Sequence, residues 1–253
     1  MPRFSANLGF LWPELPLEEA IRAAASAGFD AVECHWPYDR DPALVRAALE
    51  ETGLAMLGLN TATGGEGLFG LLALTDEEKA ARASIDQAVA YAAAIGAAGI
   101  HAMAGIAQGP EAEATFRRNL RYACEKAAEH GITILIEPIN SHDVPGYFLG
   151  STRLAERLIA DTGLANLRLM FDCYHVARMG EDVLARLEAL LPVAGHIQFA
   201  SVPDRGPPDH GELDYGKIFA RLDELGWEKP LGAEYRPQGE TQASLSWLAA
   251  FRR

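Results

Sequence analysis

The stretch Ile134-Leu135-Ile136-Glu137-Pro138-Ile139-Asn140 constrains the fold more than any other. An apolar run climbs from Ile132 and stops on a carboxylate, and the proline that follows cannot donate to a strand ladder. Such a run fits a parallel strand buried on both faces, with an acid at its C-terminal tip. The pattern recurs. Leu167 to Phe171 ends on Asp172, Ala194 to Ile197 ends on Gln198, and Leu231-Gly232-Ala233 ends on Glu234, with Tyr235, Arg236 and Pro237 after it. Successive members lie about one strand-plus-helix unit apart, roughly 30 residues. Four oxygen-bearing side chains at four neighbouring strand ends converge on one point.

The rest of the chain extends the alternation. Strands are expected over 4–10, 30–35, 55–60, 99–104, 132–137, 167–172, 193–200 and 231–235. Helices are expected over 17–27, 42–51, 75–95, 110–130, 151–160, 181–191, 213–225 and 241–251. Gly28, Gly53, Gly131 and Gly226 close four of them, and Thr75 with Glu78 has the spacing of a capping box. Alternating strands and helices imply a parallel sheet, and eight repeats imply closure into a (β/α)8 TIM barrel. A chain of 253 residues is the usual size for one such barrel, and no linker or low-complexity segment divides it. We therefore expect one domain over 1–253. In a barrel the C-terminal strand ends carry the active site, and the four acceptor residues sit there.

Two long loops lie on that same side. Residues 61–74 contain Gly64-Gly65-Glu66-Gly67 without the Gly-Lys-Ser/Thr of a phosphate loop, so a lid or wall of the site is the expectation. Residues 141–149 carry His142, Asp143 and Tyr147.

Net charge narrows the partners. At −13 the chain is poorly suited to a phosphate backbone, which needs clustered Lys and Arg. A small anion remains compatible, because a metal supplies local positive charge. Cys34, Cys124 and Cys173 are too few and scattered for a disulfide framework. The opening Met1-Pro2-Arg3-Phe4-Ser5 lacks a signal-type hydrophobic region, and no apolar run reaches membrane-spanning length. The expectation is a cytoplasmic enzyme without nucleic-acid or membrane partners, with a homo-oligomer left open.

A lone acid at a strand end is more often a helix N-cap or turn former than a catalyst. Four in register are different, because three anions and an amide oxygen at one point repel unless a cation sits among them. The set Glu137, Asp172, Gln198 and Glu234 offers only oxygen, which favours Mg2+, Mn2+ or Ca2+ over zinc. A cation binding adjacent hydroxyl and carbonyl oxygens stabilises an enediolate, while one carboxylate removes a carbon-bound proton and another returns it to the next carbon. That is aldose–ketose isomerisation or epimerisation, with Glu137 and Glu234 as the acid–base pair. A substrate carboxylate needs a partner, and Arg236, Arg205, His175 and loop amides are the candidates. His175 is read as a loop residue touching a substrate oxygen, against an ordinary capping histidine. His196, two residues before Gln198, is read as a hydrogen-bonded core group. His101 is read as structural, His35 as lining the opposite rim, and His130 and His210 as exposed.

Several segments resemble the hydroxypyruvate isomerase family. They are Ile136-Glu137-Pro138-Ile139-Asn140, Phe171-Asp172-Cys173-Tyr174-His175, His196-Ile197-Gln198 and Ala233-Glu234-Tyr235, together with His101-Ala102-Met103-Ala104-Gly105 and Asp143 to Leu149. The resemblance spans essentially the whole chain and implies the xylose isomerase-like TIM-barrel fold. It implies a divalent metal at Glu137, Asp172, Gln198 and Glu234, and Glu137 and Glu234 as the proton-transfer pair. Sugar epimerases of that superfamily carry histidine where Gln198 stands here. The segments 203–208 and 211–215 also look like the hydroxypyruvate isomerase branch, although His210 departs from the small residue expected before Gly211. The implied substrates are a small 2-oxo hydroxyacid, either hydroxypyruvate with tartronate semialdehyde or 2-oxo-tetronate. A ketose 3-epimerase is the nearest rival. An endonuclease IV-type nuclease would want more histidine and a basic face, and a binding module would not need two glutamates on one metal.

Overall fold

The computed structural model describes residues 2–252; Met1, the first residue of the N-terminal segment read above, lies outside them. Along the chain come β1 (Phe4–Asn7), α1 (Leu17–Ala27), β2 (Ala31–Glu33), α2 (Pro42–Thr52), β3 (Ala55–Met56) and β4 (Leu59–Asn60). Next are α3 (Glu78–Ile95), β5 (Gly99–His101), α4 (Gly109–Ala128), β6 (Thr133–Ile136), α5 (Thr152–Thr162) and β7 (Leu167–Asp172). Then follow α6 (Cys173–Arg178), α7 (Val183–Leu190), β8 (Ala194–Phe199), α8 (Tyr215–Glu224), β9 (Leu231–Ala233) and α9 (Ser246–Ala250). The strands form one parallel sheet in the order β3-β2-β1-β9-β8-β7-β6-β5-β4.

The sheet curls strongly, because its two outer members are neighbours in the chain. Leu57 N–H donates to Val32 at 2.7 Å and Cys34 N–H to Gly58 at 3.0 Å, on the β2 side. Ala98 N–H donates to Met56 at 2.9 Å and Thr61 N–H to His101 at 2.9 Å, on the β5 side. The expected strand over 55–60 is thus two short pieces, interrupted at Leu57-Gly58, that face different neighbours.

Period-two alternation sorts the strand residues. In β1, Phe4 turns outward to stack edge-on against Phe199, Phe219 and Trp247, while Asn7 turns inward to the acidic side chains. In β8, Phe199 joins that outer cluster, while His196 and Gln198 point inward. The helices bury their apolar faces against the outer surface. α1 buries Ala20, Ile21 and Ala24, and α5 buries Ala155, Leu158 and Ile159. Ser151 is the N-cap of α5, its hydroxyl accepting from Leu154 N–H at 3.3 Å.

Two local expectations fail. The Thr75–Glu78 capping box is absent: α3 begins at Glu78 with Glu77 at its N-cap and no side-chain cap, because a turn donating Glu77 N–H to Leu74 occupies that segment. His175 lies in a helix rather than a loop, because the Asp172 carboxylate caps Tyr174 N–H at 2.8 Å and starts α6 at the strand tip. Among the described residues no helix is long and apolar enough to cross a membrane.

Candidate active site

Glu137 follows β6, Asp172 ends β7, Gln198 lies near the end of β8 and Glu234 follows β9. These strands are adjacent, with Asp172 level with Gln198 and Gln198 level with Gly232. All four side chains are buried. Glu137, Asp172 and Glu234, with His175, each place one ligand-type atom within 4.8 Å of the others.

Arg205 is the cation that enters this cluster. Its Nη2 donates to Glu234 Oε2 at 2.7 Å and lies 3.9 Å from Asp172 Oδ2, while Nη1 lies 3.6 Å from Asp143 Oδ2. The guanidinium stands 5.0 Å from the ring centroids of both Phe10 and Tyr174, a cation–π arrangement on two sides. Its backbone sits in the left-handed region at φ 56, held by its N–H to Ser201 at 3.0 Å and by Arg236 N–H to its own carbonyl at 2.7 Å. Such a conformation costs a residue with a side chain about 1–2 kcal/mol. Arg236 is exposed, 5.3 Å from the Phe10 centroid, and it supplies that backbone bond rather than a charge inside the cluster.

The charges resolve unequally. Burial, then repulsion from Glu234 and Asp172, holds the Glu137 carboxyl well above the usual range. Burial and the Glu234 charge push Asp172 up to about 8. Burial acts on Glu234 in the same sense, but Arg205 and His35 outweigh it and hold that carboxyl low. Burial opposes the Arg205 charge, and Glu234, Asp172 and Glu137 together overcome it. Burial lowers His101 to about 4, and burial with Arg205 takes His175 well below the ordinary histidine value.

His175 has a defined proton. Asn140 Oδ1 accepts from His142 N–H at 3.0 Å and from Asp143 N–H at 2.9 Å, which fixes the amide. Asn140 Nδ2 therefore donates to His175 Nδ1 at 2.6 Å, joined by Asn140 N–H at 3.3 Å. With Nδ1 accepting, the proton of the neutral ring sits on Nε2, which lies 3.6 Å from Glu137 Oε1 and 3.7 Å from Asp172 Oδ2. That nitrogen can donate to an oxygen in the site but has no lone pair for a metal.

The carboxylates and Gln198 nonetheless suit a hard cation. Among the described residues, Glu137 Oε1, Asp172 Oδ2 and Gln198 Oε1 are buried without a hydrogen-bond partner. Buried polar oxygens ordinarily have one. Three orphaned oxygens from adjacent strands, two of them on carboxyls that burial and neighbouring charge make costly to ionise unaided, are a donor set suited to a divalent cation.

Other residues join the site that sequence reasoning assigned elsewhere. His35 was expected on the opposite rim, yet its Nε2 lies 3.2 Å from Glu234 Oε1. The curled sheet puts β9 beside β1 and β1 beside β2, so the tip of β2 is near Glu234. His101 was read as structural; it is buried with Nδ1 3.4 Å from Glu137 Oε2. Asn7 was not singled out, and its Nδ2 donates to both Glu33 Oε1 and Glu234 Oε1 at 3.0 Å. The available signal was an amide at the end of a short apolar strand. Asn140 and Tyr174 stood in the segments that carry the family resemblance but were given no role there, and Phe10 carried no comparable signal.

Residues 21–251 match the family model described as xylose isomerase-like TIM barrel. A 2-oxo-tetronate isomerase from Cupriavidus necator is 42% identical over 257 residues, covering 99% of each chain. The hydroxypyruvate isomerase of Escherichia coli is 34% identical over 258 residues, covering 100% of both chains. Among solved structures, one described as AP endonuclease, family 2 from Brucella melitensis superposes with a TM-score of 0.95 at 38% identity over 100% of both chains.

Proposed function

Because this chain belongs to the xylose isomerase-like TIM-barrel family, in its hydroxypyruvate isomerase branch, we propose that it is an isomerase of a small 2-oxo hydroxyacid, interconverting it with its hydroxy-aldehyde or 3-oxo isomer. We also take 55–60 as one interrupted barrel strand, which makes the chain a single-domain (β/α)8 barrel. The observation that carries the functional reading is the trio of orphaned buried oxygens on Glu137, Asp172 and Gln198, on strand ends neighbouring that of buried Glu234.

Glu137, Asp172, Gln198 and Glu234 would hold a divalent cation, Mg2+ or Mn2+, which when bound supplies Lewis-acid stabilisation of negative charge on adjacent substrate oxygens. Glu137 and Glu234 are the proton-transfer pair. One takes a proton from the hydroxyl-bearing carbon, leaving an enediolate, the other delivers a proton to the neighbouring carbon, and the hydroxyl proton passes to the former carbonyl oxygen. No atom is gained or lost. His175 Nε2–H, pointed by Asn140, donates to the substrate oxygen on which charge gathers. Arg205 presents a planar fork suited to the substrate carboxylate, steadied by Phe10 and Tyr174. Arg236, exposed beside the same Phe10 ring, is assigned to the mouth of the site.

An arginine inside the cluster supports an acidic substrate over the neutral ketose of an epimerase. The net charge of −13 and the all-oxygen ligand set support a small acid over a nucleic acid. Hydroxypyruvate and 2-oxo-tetronate are both substrates to try, and the more similar named relative puts 2-oxo-tetronate first.

The test uses Glu137→Gln and Glu234→Gln at saturating Mn2+. Each amide keeps one carbonyl ligand but cannot act as a base at neutral pH. Turnover should fall at least about 100-fold in both variants, as for lost general acid–base catalysis. One of them should still wash deuterium into the carbon-bound position, because only half of the transfer is broken. Wild-type isomerisation rates in both variants, with metal bound, would refute the acid–base assignment.

A further inference from the structure

Beneath the cluster lies a carboxylate that the acid–base chemistry does not use. Glu33, from β2 on the far side of the barrel, is buried among inward-facing residues of β1 and β8. Its Oε1 accepts from Asn7 Nδ2 at 3.0 Å and from Gln198 Nε2 at 2.8 Å, and its Oε2 faces His196 Nε2 at 2.5 Å. The donors' orientations are not free. Gly9 N–H donates to Asn7 Oδ1 at 2.9 Å, so the Asn7 NH2 must face Glu33 and Glu234. Reversing Gln198 would bring its oxygen to within 2.8 Å of Glu33 Oε1, acceptor against acceptor. As it stands, the Gln198 NH2 is spent on Glu33, and Gln198 Oε1 is left buried and without a partner.

Room for this contact is built into the neighbouring strand. A Cβ at Gly232 would lie 2.7 Å from Glu33 Oε1, 2.9 Å from Glu33 Oε2 and 2.8 Å from Gln198 Cγ. Real Cβ atoms essentially never approach that closely, so any side chain at this point of β9 would part the two residues.

We infer that Glu33 is a positioning residue that locks the Gln198 amide with its carbonyl oxygen, not its NH2, toward the carboxylate cluster, so that position 198 presents a ligand to a cation. The inference rests on the metal-site reading proposed above. A glutamine is an ambiguous ligand, since a half-turn of its amide replaces a donor oxygen by two hydrogens that repel a cation. Glu33 removes the ambiguity before any cation arrives, which spares the site the reorganisation. Partners of ligands that act in this way typically change metal affinity by about 10–100-fold.

The test is a two-by-two set of chains titrated with Mn2+ by calorimetry, with no substrate present. Glu33→Asp keeps the charge but withdraws the carboxylate from Gln198, and Gln198→Ala removes the ligand through which Glu33 acts. The expected result is a loss of Mn2+ affinity of about tenfold or more for Glu33→Asp in the parent chain. In the Gln198→Ala chain the same change should alter affinity by less than about twofold, because distant or already uncoupled changes simply add. Equal losses in both backgrounds would mean that Glu33 acts through general support of the barrel, and would overturn the inference. A wild-type chain that binds no Mn2+ would instead refute the metal-site reading itself. A second measurement needs no altered Glu33. In metal-free wild-type protein, NMR should find the Gln198 side-chain NH2, identified by its absence from Gln198→Ala, protected from solvent exchange. Its protection should persist when Mg2+ is added. A freely exchanging NH2 in the metal-free protein would overturn the inference independently of folding in any Glu33 variant.

Discussion

At the residue scale, the site depends on which way a few nitrogen and oxygen atoms face. Asn140 and Asn7 do little chemistry of their own, yet each is held by backbone N–H donors and passes its orientation to a neighbour. Asn140→Asp tests the first of these. The carboxylate can still accept from the backbone of His142 and Asp143, but its second oxygen would confront His175 Nδ1, acceptor against acceptor. The proton should move to Nδ1 and leave Nε2 without a hydrogen to donate. Nitrogen-15 NMR of the wild-type protein should show an unprotonated Nδ1 at His175, and the variant should show the reverse. Turnover should fall at least about tenfold, equivalent to about 1.4 kcal/mol in the barrier. A wild-type His175 protonated on Nδ1 would contradict the proton placement.

At the element scale, three segments on the C-terminal side of the sheet, 61–74, 102–108 and 141–149, are fastened in series with 102–108 in the middle. Gly70 and Ala104 form an antiparallel bridge, Ile106 bridges Tyr147, and Phe148 N–H donates to the Gly105 carbonyl at 2.9 Å. Gly105 is the crossing point. Its φ is 91, and a Cβ there would lie 2.3 Å from the Gly70 carbonyl oxygen. Alanine at 105 therefore meets both a left-handed backbone and a backbone atom that cannot swing aside. We expect Gly105→Ala to destabilise the fold by about 2 kcal/mol, within the usual range for overpacking. The segment 61–74 should also become the preferred site of limited proteolysis. Unchanged cleavage with unchanged Tm would show that the loop is not anchored there.

At the scale of the whole molecule, the outer helical layer is laced by ion pairs despite the large negative charge. Glu113 of α4 receives both arms of Arg157 from α5, at 2.8 Å each, and Arg117 at 2.8 Å; Arg117 also reaches Asp161 at 2.9 Å. The Arg157 hydrogen bond, opposed by some burial and reinforced by Arg117, lowers the Glu113 carboxyl to about 2. The sign of the linkage follows. A folded-state value below the ordinary 4.5 stabilises the protein above pH 4.5, and that stability is lost as pH falls toward 2. Glu113→Gln should therefore lower Tm at pH 7 by about 2–4 °C, for a loss of about 1 kcal/mol after solvent screening. The difference from wild type should shrink as pH falls from 4.5 through about 2, and a difference independent of pH would exclude the carboxylate as its origin.

Four strand-end residues, Glu137, Asp172, Gln198 and Glu234, were legible in the sequence, because a buried parallel strand is written as a continuous apolar run and its polar tip ends that run. The alternation of strands and helices was legible for a similar reason, since helix and strand periods differ, although the stretch read as one strand over 55–60 is two short pieces. What the sequence could not determine was how the ends of separate strands face one another. The curl of the sheet brings His35 to Glu234 across 199 positions of chain, and Glu33 to Gln198 across 165. It also selects Arg205, and not Arg236, as the cation within the cluster. The proton on His175 and the orientation of the Gln198 amide belong to the same class. Each depends on which donor or acceptor stands opposite, and in a parallel barrel the opposite residue comes from a strand far away in sequence. Local propensity and periodicity carry information along the chain, whereas hydrogen-bond complementarity exists only between groups that the tertiary fold has already brought within 3 Å or so of each other.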